Sequence, residues 1–326
     1  MKTLLKLQTI LLIVATVFIA TSCDDDDDED NPIIIETNTI ADFVVANQAN
    51  YSSLLAALQK ADLVETLQSE GPFTVFAPDN DAFDSFLSAA GFNNLDEVPV
   101  DVLTQILLNH VVSGAVESSA LSTGYIETLA TATPNMANVN MYVNTSSGVM
   151  LNGVSTVTNA NNMVDNGVVH LVDEVIGLPT VVTFATADPN FSILVEALTR
   201  DDQPDFVSVL STADGTDPAP FTVFAPTNDA FAALLTELNA SSLADIDTET
   251  LTATLNTHVV GGANVTSDML SDGMTINTLG ADLTANVSGG ATLTDPNGRV
   301  SNITAVNVQA SNGVIHVIDT VVLPQL

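Results

Sequence analysis

The sequence predicts an α+β fold, mainly β, in two tandem domains, each with helices first and a sheet of short strands after them. An eleven-residue stretch, FTVFAPDNDAF at Phe73–Phe83, returns as FTVFAPTNDAF at Phe221–Phe231, 148 positions later with one residue changed. Two further stretches recur in the same order, which indicates an internal repeat of a whole domain. At 326 residues and 46% hydrophobic content, the chain is long enough for two domains of ordinary size.

The first 22 residues have the pattern of an export signal. Lys2 and Lys6 precede an apolar core from Leu7 to Ala20, which is shorter than the roughly 20 apolar residues that a spanning helix needs. Cys23 follows and is the sole cysteine of the sequence, so a disulfide within one chain is excluded. A lone cysteine at this place resembles the lipobox of bacterial lipoproteins, which implies lipidation. The alternative is an ordinary signal peptide that happens to contain a cysteine.

Seven acidic residues, Asp24 to Asp30, come directly after Cys23. In the Bacteroidetes-type lipoproteins that this segment resembles, such a run implies export to the outer face of the outer membrane. Residues 23–37 would then be a lipidated, acidic tether. A solvated, self-repelling segment is the physical alternative, and the two interpretations are compatible.

The whole chain is strongly acidic. It has 40 Asp and Glu against five Lys and Arg, with a formal net charge of −35 at pH 7. Nucleic acid is therefore excluded as a partner, because neutralising phosphates requires clustered cations. Charge of this size keeps a protein soluble and repels anionic surfaces.

The first repeated motif predicts a strand followed directly by a helix. Phe73–Ala77 is rich in β-branched and aromatic residues, as buried strands are, and the proline after it removes a backbone donor. Asp79 or Thr227 is then placed to cap a helix, because both offer an oxygen to its free amides. An aspartate in the first helical turn faces the helix dipole favourably. The residues assigned to this structural corner are Phe76, Pro78 and Asp81 in the first copy and Phe224, Pro226 and Asp229 in the second.

The other two motifs contain all the histidines of the chain. LLNHVVSG at 107–114 answers LNTHVVGG at 255–262, and DNGVVHLVDEVIGLP at 165–179 answers SNGVIHVIDTVVLP at 311–324. In the last pair an Asn-Gly turn opens a strand that is apolar on both faces, which predicts a central, covered strand. The histidines are His110, His170, His258 and His316. Their apolar neighbours predict a structural hydrogen bond from a partly buried ring.

The sequence contains none of the common catalytic or metal-binding patterns. There is no GxSxG, no HExxH and no phosphate loop or dinucleotide fingerprint. The acidic stretch at Asp79–Asp84 lacks the glycine and distal glutamate of an EF-hand loop. We therefore predict that the protein is not an enzyme and has no resident cofactor. Weak calcium binding, by the acidic run after Cys23, stays open.

The second copy has eight extra residues ahead of its FTVFAP motif. Tyr51–Leu58 and Phe191–Leu198 correspond with an offset of 140, whereas the motif itself has an offset of 148. The extra residues lie within 199–220, whose Asp, Gly and Pro content predicts a loop or broken helix rather than core. Because variable loops carry specificity more often than a shared framework does, Asp214 and Asp217 are candidate interaction residues.

The three motifs, in this order and spacing, resemble the signatures of the fasciclin (FAS1) family. The resemblance assigns one domain to residues 38–179 and another to 180–326. For each it implies a wedge of about seven short strands with a helical part packed against the sheet. It also implies extracellular adhesion or matrix interaction without a catalytic centre.

The motif around the central histidine departs from the animal adhesion members of this family. Those members carry a tyrosine before the histidine, at a position linked to integrin engagement, whereas Asn109 and Thr257 stand there in this chain. Integrin-type recognition is therefore not implied. The candidate interaction residues at this motif are Asn109, His110, Thr257 and His258.

These observations predict a non-catalytic adhesion or interaction protein at the cell surface. Its expected partners are cell-surface or matrix proteins or polysaccharides, and its expected location is the outer membrane, through a lipid on Cys23. One alternative is a binding protein for a polysaccharide, a small ligand or a divalent cation at the groove between the domains. A second alternative, an undetected hydrolase, would need several titratable groups with shifted pKa values in one cleft.

Overall fold

The computed structural model describes residues 38–133 and 135–325, which belong to a single compact unit. The export signal, Cys23 and the acidic tether lie outside the described residues, so the expectations about them stay predictions. The described chain contains two copies of one arrangement, which we name domain 1 (residues 38–179) and domain 2 (residues 180–325). Within the described residues, no helix has both the length and the apolar character needed to cross a membrane.

Domain 1 begins with three helices, but its first strand precedes the last two helices, so the helices do not all come before the strands as the sequence predicted. Its helices are α1 (Ile40–Ala46), α2 (Gln48–Lys60), α3 (Val64–Gln68), α4 (Asn80–Ala90) and α5 (Val100–Asn109), with a short 3-10 helix at Leu95–Glu97. Its strands are β1 (Phe73–Pro78), β2 (Val111–Ser113), β3 (Gly124–Thr131), β4 (Asn138–Asn144), β5 (Met150–Leu151), β6 (Ser155–Val164) and β7 (Gly167–Val172).

Domain 2 repeats this order. Its helices are α6 (Val181–Ala187), α7 (Ser192–Leu198), α8 (Phe206–Leu210), α9 (Asn228–Glu237) and α10 (Thr248–Thr257), with 3-10 helices at Pro189–Phe191, Leu243–Asp245 and Ser267–Met269. Its strands are β8 (Phe221–Pro226), β9 (Val259–Gly261), β10 (Met274–Ile276), β11 (Leu283–Asn286), β12 (Thr292–Thr294), β13 (Val300–Ala310) and β14 (Gly313–Ile318).

The two seven-stranded sheets have the same topology, which confirms the predicted fold class. Their orders are β2-β1-β7-β6-β5-β4-β3 and β9-β8-β14-β13-β12-β11-β10. In each domain the first strand lies parallel to the last, and the other neighbouring strands are antiparallel. The first and last sequence motifs are therefore neighbours in the sheet, with Phe76 opposite His170 and Phe224 opposite His316.

The strand-to-helix corner forms as predicted in both domains. β1 and β8 end at their prolines. Asp79 Oδ1 accepts a hydrogen bond from Ala82 N at 2.9 Å, and Thr227 Oγ1 accepts one from Ala230 N at 3.3 Å. The exchange of Asp for Thr between the copies is thus explained by one function, capping of the helix amino terminus.

The Asn-Gly pair at the start of β7 ties the helices to the sheet. Asn166 Oδ1 accepts from Ile40 N at 2.9 Å, and its Nδ2 donates to the carbonyl oxygens of Leu67 at 2.8 Å and Ser69 at 2.7 Å. Asn312 makes the three corresponding bonds in domain 2 at 2.8 to 3.0 Å. The sequence indicated a turn here but did not indicate that the asparagine side chain also binds the helices.

The glycine of the same pair allows two strands to approach closely. A methyl group on Gly167 would lie 1.9 Å from the carbonyl oxygen of Phe73, and one on Gly313 would lie 2.4 Å from that of Phe221. Such distances are far inside van der Waals contact. Any side chain here would push the parallel strands apart.

Each sheet is covered on both faces. In domain 1 the helices pack on one face, while Phe76 on the other face belongs to one buried cluster with Met141 and Leu151. Phe76 is in β1 and Met141 in β4, which stand four places apart in the sheet order. Their shared cluster requires the sheet to fold over on itself, as in the predicted wedge.

The segment ahead of β8 corrects one prediction. Residues 199–220 were expected to form a loop or broken helix outside the core, yet they contain α8. Phe206 and Leu210 in this helix, and Ala219 after it, are buried in the main apolar cluster of domain 2. Phe206 and Leu210 are four positions apart, so both face the same side of a helix despite the polar composition around them.

Candidate functional site

His110 and His258, at the carboxyl ends of α5 and α10, are buried and hydrogen-bonded through both ring nitrogens. In His110, Nδ1 lies 2.7 Å from the carbonyl oxygen of Ile106 and Nε2 accepts from Ile176 N at 2.9 Å. A carbonyl only accepts and an amide only donates, so the ring is the neutral form protonated at Nδ1. His258 has the corresponding pair of bonds at 2.7 and 3.2 Å. Burial lowers the pKa of both rings to about 4, although the carbonyl partner acts in the opposite direction.

His170 and His316 lie in the central strands, against the phenylalanines of the strand-to-helix corner. Their ring centroids are 5.5 Å from Phe76 and 5.7 Å from Phe224, respectively. His170 Nε2 donates to Val116 O at 2.9 Å, and the corresponding bond of His316 is 2.8 Å long. Burial lowers the pKa of both rings. The rings are therefore neutral near pH 7 and face the protein interior.

The candidate interaction residues at the central histidine motif are not on the surface. Asn109 and Thr257 are 0% exposed, and His110 and His258 are 3% and 2% exposed. Asn109 Nδ2 donates to carbonyl oxygens at 3.2 and 3.0 Å, while Thr257 Oγ1 donates to a carbonyl oxygen of its own helix at 2.8 Å. Since α5 and α10 pack these side chains inward, none of the four is available to a partner in this structure.

The two domains meet at a buried carboxylate. Asp188, between α6 and the 3-10 helix that follows, accepts from Tyr125 Oη at 3.1 Å and from Tyr142 Oη at 3.4 Å. Both tyrosines belong to domain 1, and Asp188 is 5% exposed. Burial, with a contribution from the negative charge of Asp188, raises the pKa of Tyr142 to about 12 and raises that of Tyr125 as well. The phenols thus stay protonated and donate to the carboxylate. We call these three residues the junction triad.

A second set of polar contacts joins β4 to β13. The backbone amide of Gln309 donates to Asn140 Oδ1 at 2.7 Å, and Asn135 Nδ2 donates to Gln309 Oε1 at 3.2 Å. Thr133 donates to Asp214 across the same boundary. Of the two candidate residues in the extra segment, Asp214 therefore contributes to the junction, whereas Asp217 is exposed.

An open polar groove of about 410 Å³ lies beside these contacts. We call it the junction groove. Its walls come from β3 and β4 of domain 1 and from the 3-10 helix Ser267–Met269 and β13 of domain 2. Its lining residues are Glu127, Asn135, Ala137, Asn138, Thr266, Asp268, Met269, Asn307 and Gln309. Most of these side chains end in amide, hydroxyl or carboxylate groups, which hydrogen-bond to hydroxyl-rich ligands.

Positive charge is largely tied up inside the described chain. Lys60 Nζ donates to three backbone carbonyl oxygens at 2.6 to 2.9 Å. Arg200 stands at the matching place in domain 2 and donates to two carbonyl oxygens at 2.6 and 2.8 Å, while Arg299 pairs with Glu237. Within the residues that the structure describes, no three His, Cys, Asp or Glu side chains come close enough together to hold a metal ion.

Comparison with known families gives a match to both halves of the chain. The fasciclin domain matches residues 49–179 and 189–324. Protein sll1483 of Synechocystis is 36% identical over 133 residues, which cover 41% of this chain and 70% of that protein.

Two animal proteins are similar over both domains. Pig transforming growth factor-beta-induced protein ig-h3 is 29% identical over 268 residues, covering 79% of this chain. Human periostin is 29% identical over 276 residues, covering 80% of this chain. The chain spans 35% of the length of ig-h3 and 29% of that of periostin.

One solved structure has the same two-domain fold. It is a FAS1 domain pair from the insect cell adhesion molecule fasciclin I, with a TM-score of 0.50 and 22% sequence identity. The alignment covers 83% of this chain and 97% of the insect chain.

Proposed function

The chain belongs to the fasciclin family, and on that premise we propose that it is a non-catalytic protein that attaches cells to other cells, to matrix or to surfaces. The observation that carries the proposal is the domain pair itself. Two fasciclin domains share buried contacts through the junction triad, and a pair of the same fold occurs in an insect cell adhesion molecule. Two linked modules raise avidity without new contacts when both engage one target.

The histidines supply the argument for a non-catalytic role. They were the residues whose recurrence invited a catalytic or metal-binding interpretation. Each is buried, and burial lowers each pKa, so none offers an accessible base near pH 7. A general base must reach the proton that it removes.

The anchor is the second component of the proposal. We place the protein at the outer face of the outer membrane, held by a lipid on Cys23 and spaced from the membrane by the acidic run Asp24 to Asp30. This placement rests on the sequence pattern. A chain of net charge −35 would be repelled by an anionic surface, so a hydrophobic anchor is a physically reasonable means of holding it there.

A second candidate function is the binding of a polysaccharide fragment in the junction groove. The favouring observation is the lining, in which amides and carboxylates converge from both domains, with one hydroxyl from domain 2. Polar groups of this kind fix the orientation of a hydroxyl-rich ligand. The two functions are compatible, because a surface polysaccharide can itself be the target of attachment.

The test is attachment of cells that lack the gene. We expect these cells to attach to one another or to surfaces less than the parent, and the full protein to restore attachment. A Cys23→Ala version should be produced but released, and should fail to restore it. A Glu65→Gln version, changed at an exposed site of α3, serves as the control for anchored protein with altered surface charge.

The possible outcomes distinguish the role of the lipid anchor from the attachment function itself. Restoration by the full protein and not by Cys23→Ala would support an anchored adhesin. If both the full protein and Cys23→Ala restored attachment, the adhesive function would be retained and the lipid anchor would be refuted. Unchanged attachment of the deletion strain, over several surfaces and salt concentrations, would refute the attachment function.

A further inference from the structure

Domain 2 contains an apolar cavity of about 200 Å³ between its first helices and its sheet. α6, α7 and α8 bound it on one side, and β8, β14 and the end of α10 on the other. A space in domain 1 that shares four equivalent lining positions with this cavity holds only about 10 Å³. Since the shared fold does not require this space, we propose that domain 2 binds in it the hydrocarbon chain of a neutral, single-chain amphiphile such as a long-chain alcohol.

The two places correspond through the repeat. Leu67 and Leu210 each accept a hydrogen bond from the turn asparagine of their own domain, and each lines its own space. Leu58 and Leu198 also match, because they end the corresponding stretches of the two copies. The two spaces therefore overlap at these positions, and only the space in domain 2 extends to the first helix and first strand of its domain.

Two features keep the space open in domain 2. Ala185 and Val195 line the cavity where domain 1 has the larger Val44 and Leu55, although Val182 lines it where domain 1 has the smaller Ala41. The connection from α7 to α8 also takes seven residues, 199–205, against three residues, 61–63, from α2 to α3. Smaller side chains and a longer connection leave the helices of domain 2 less tightly closed over the sheet.

The wall offers no free polar side chain. His258 contributes to it, but both of its ring nitrogens are bonded to backbone groups. The hydroxyls of Thr186 and Thr199 donate to carbonyl oxygens of their own helices at 3.0 and 2.8 Å. Apolar cavities of about 150 Å³ stay dry and bind small hydrocarbons. The buried part of an occupant must accordingly be hydrocarbon.

The cavity wall reaches the protein surface. Val207, which is 38% exposed, and the exposed Thr186 and Thr199 are among its lining residues. A chain can thus enter between the helices while its polar end stays in water. This arrangement suits a molecule with one apolar tail and one small head group.

Exposed acidic residues on the elements that bound the cavity favour a neutral head group. Glu196, Asp201 and Asp205 are exposed on α7 and on the connection that follows it. Arg200, the nearby cation, is paired with Asp202 and with two carbonyl oxygens. A carboxylate head group would therefore meet negative charge without a free positive partner, and a chain of net charge −35 adds to the repulsion.

The test uses N-phenyl-1-naphthylamine, a neutral probe whose fluorescence rises in apolar surroundings. It is added to the full chain carrying Cys23→Ala, so that no acyl group on the chain itself competes. We expect saturable binding, displaced by 1-decanol at a concentration about tenfold lower than that of decanoate at pH 8. Decanol should also raise the Tm, since a ligand of the native state stabilises it.

Filling the cavity should weaken binding. Ala185→Val with Val195→Leu installs the residues that domain 1 carries, and we expect probe affinity to fall at least about tenfold with the circular dichroism spectrum unchanged. Val45→Leu, on an exposed position of α1, is the matched control and should bind as the parent does. If the double variant misfolds, Ala185→Val alone should give a smaller loss of affinity.

Three results would overturn the inference. They are a parent protein that shows no saturable binding, a filled variant that keeps its shape and binds equally well, and decanoate that displaces the probe as well as decanol does. Either of the first two results would refute the ligand site. The third result would refute the assignment of a neutral head group. The inference is independent of the attachment function, because the assay uses a soluble chain and no cells.

Discussion

The histidines show how one residue type acquires a fixed protonation state from its backbone partners. His110 donates through Nδ1 and accepts through Nε2, whereas His170 donates through Nε2 and accepts from Asn161 N at 3.2 Å through Nδ1. The two motifs of one domain thus hold opposite neutral tautomers. A proton added to either ring would face a backbone amide and would have to be carried in the core.

We expect the free energy of unfolding to fall as the pH falls from about 6.5 to 4. The folded-state pKa of each histidine lies below its unfolded value of 6.5, so the unfolded chain binds more protons in this window. For His258, a folded pKa of about 4 corresponds to a loss of about 2 kcal/mol at pH 4.5. Urea unfolding at pH 7 and pH 4.5 measures this difference in the free energy of unfolding, in about 0.5 M salt to screen the acidic surface.

The matched variant for this prediction is His258→Gln. This variant should be less stable than the parent at pH 7, because hydrogen bonds to buried backbone groups are lost. Its free energy of unfolding should, however, fall less than that of the parent between pH 7 and pH 4.5. Nitrogen-15 spectra of the imidazoles at pH 6 should show neutral rings. An imidazole of His110 or His258 that titrates near pH 6.5 in the native state would contradict the burial argument.

At the scale of elements, the turn asparagines determine how helices and sheet are joined. Asn166 bonds the start of α1 and the end of α3 to the turn that opens β7. The glycine after it lets β7 lie parallel against β1. One dipeptide thus connects three elements that are far apart in the chain.

Asn166→Ala should loosen the helical part of domain 1 and cost roughly 3 kcal/mol, since three buried bonds are lost. Native-state hydrogen exchange should show faster exchange in α1 and α3, with α6 and α8 of domain 2 as the internal reference. Asn166→Asp keeps the acceptor for Ile40 but sets a carboxylate oxygen against two carbonyl oxygens, so it should cost at least as much as Asn166→Ala. Equal protection in parent and Asn166→Ala would show that the side chain does not join these elements in solution.

At the scale of the whole molecule, the junction triad makes two domains into one unit. Tyr142, a residue of domain 1, belongs to the main apolar cluster of domain 2, and Tyr125 packs edge-on against Phe184 at 5.3 Å between ring centroids. Asp188 satisfies both phenols. Apolar packing and paired polar groups thus occur at the same place, which favours cooperative unfolding of the pair.

Asp188→Ala should uncouple the domains. It leaves two buried hydroxyls without their acceptor and opens the contact, so we expect the single calorimetric transition of the parent to separate into two. Asp188→Asn retains a side-chain oxygen and the bond from Asn190 N, and should keep one transition with a lower Tm. A single, unshifted transition for Asp188→Ala would mean that apolar packing alone couples the domains.

Much of the fold could be predicted from the sequence because its signals are local. The cap at Asp79 or Thr227, the proline that ends β1 or β8, and the Asn-Gly turn each depend on residues a few positions apart. The repeat then placed each signal twice. Contacts between distant residues were not visible in the sequence: the candidate interaction residues Asn109 and Thr257 are buried, and the polar segment ahead of β8, expected outside the core, contributes Phe206 and Leu210 to it.

The sequence by itself determined the repeat, the strand-to-helix corner in each copy and the family. Only the tertiary structure decided the rest: the backbone partners and tautomers of the histidines, the junction of Asp188 with two tyrosines, and the larger cavity of domain 2. These depend on the distance between elements that are far apart in the chain, such as Tyr125 and Asp188, 63 positions from each other. A change of one or two methyl groups, as from Val44 to Ala185, alters such packing without altering any local signal that a sequence pattern contains.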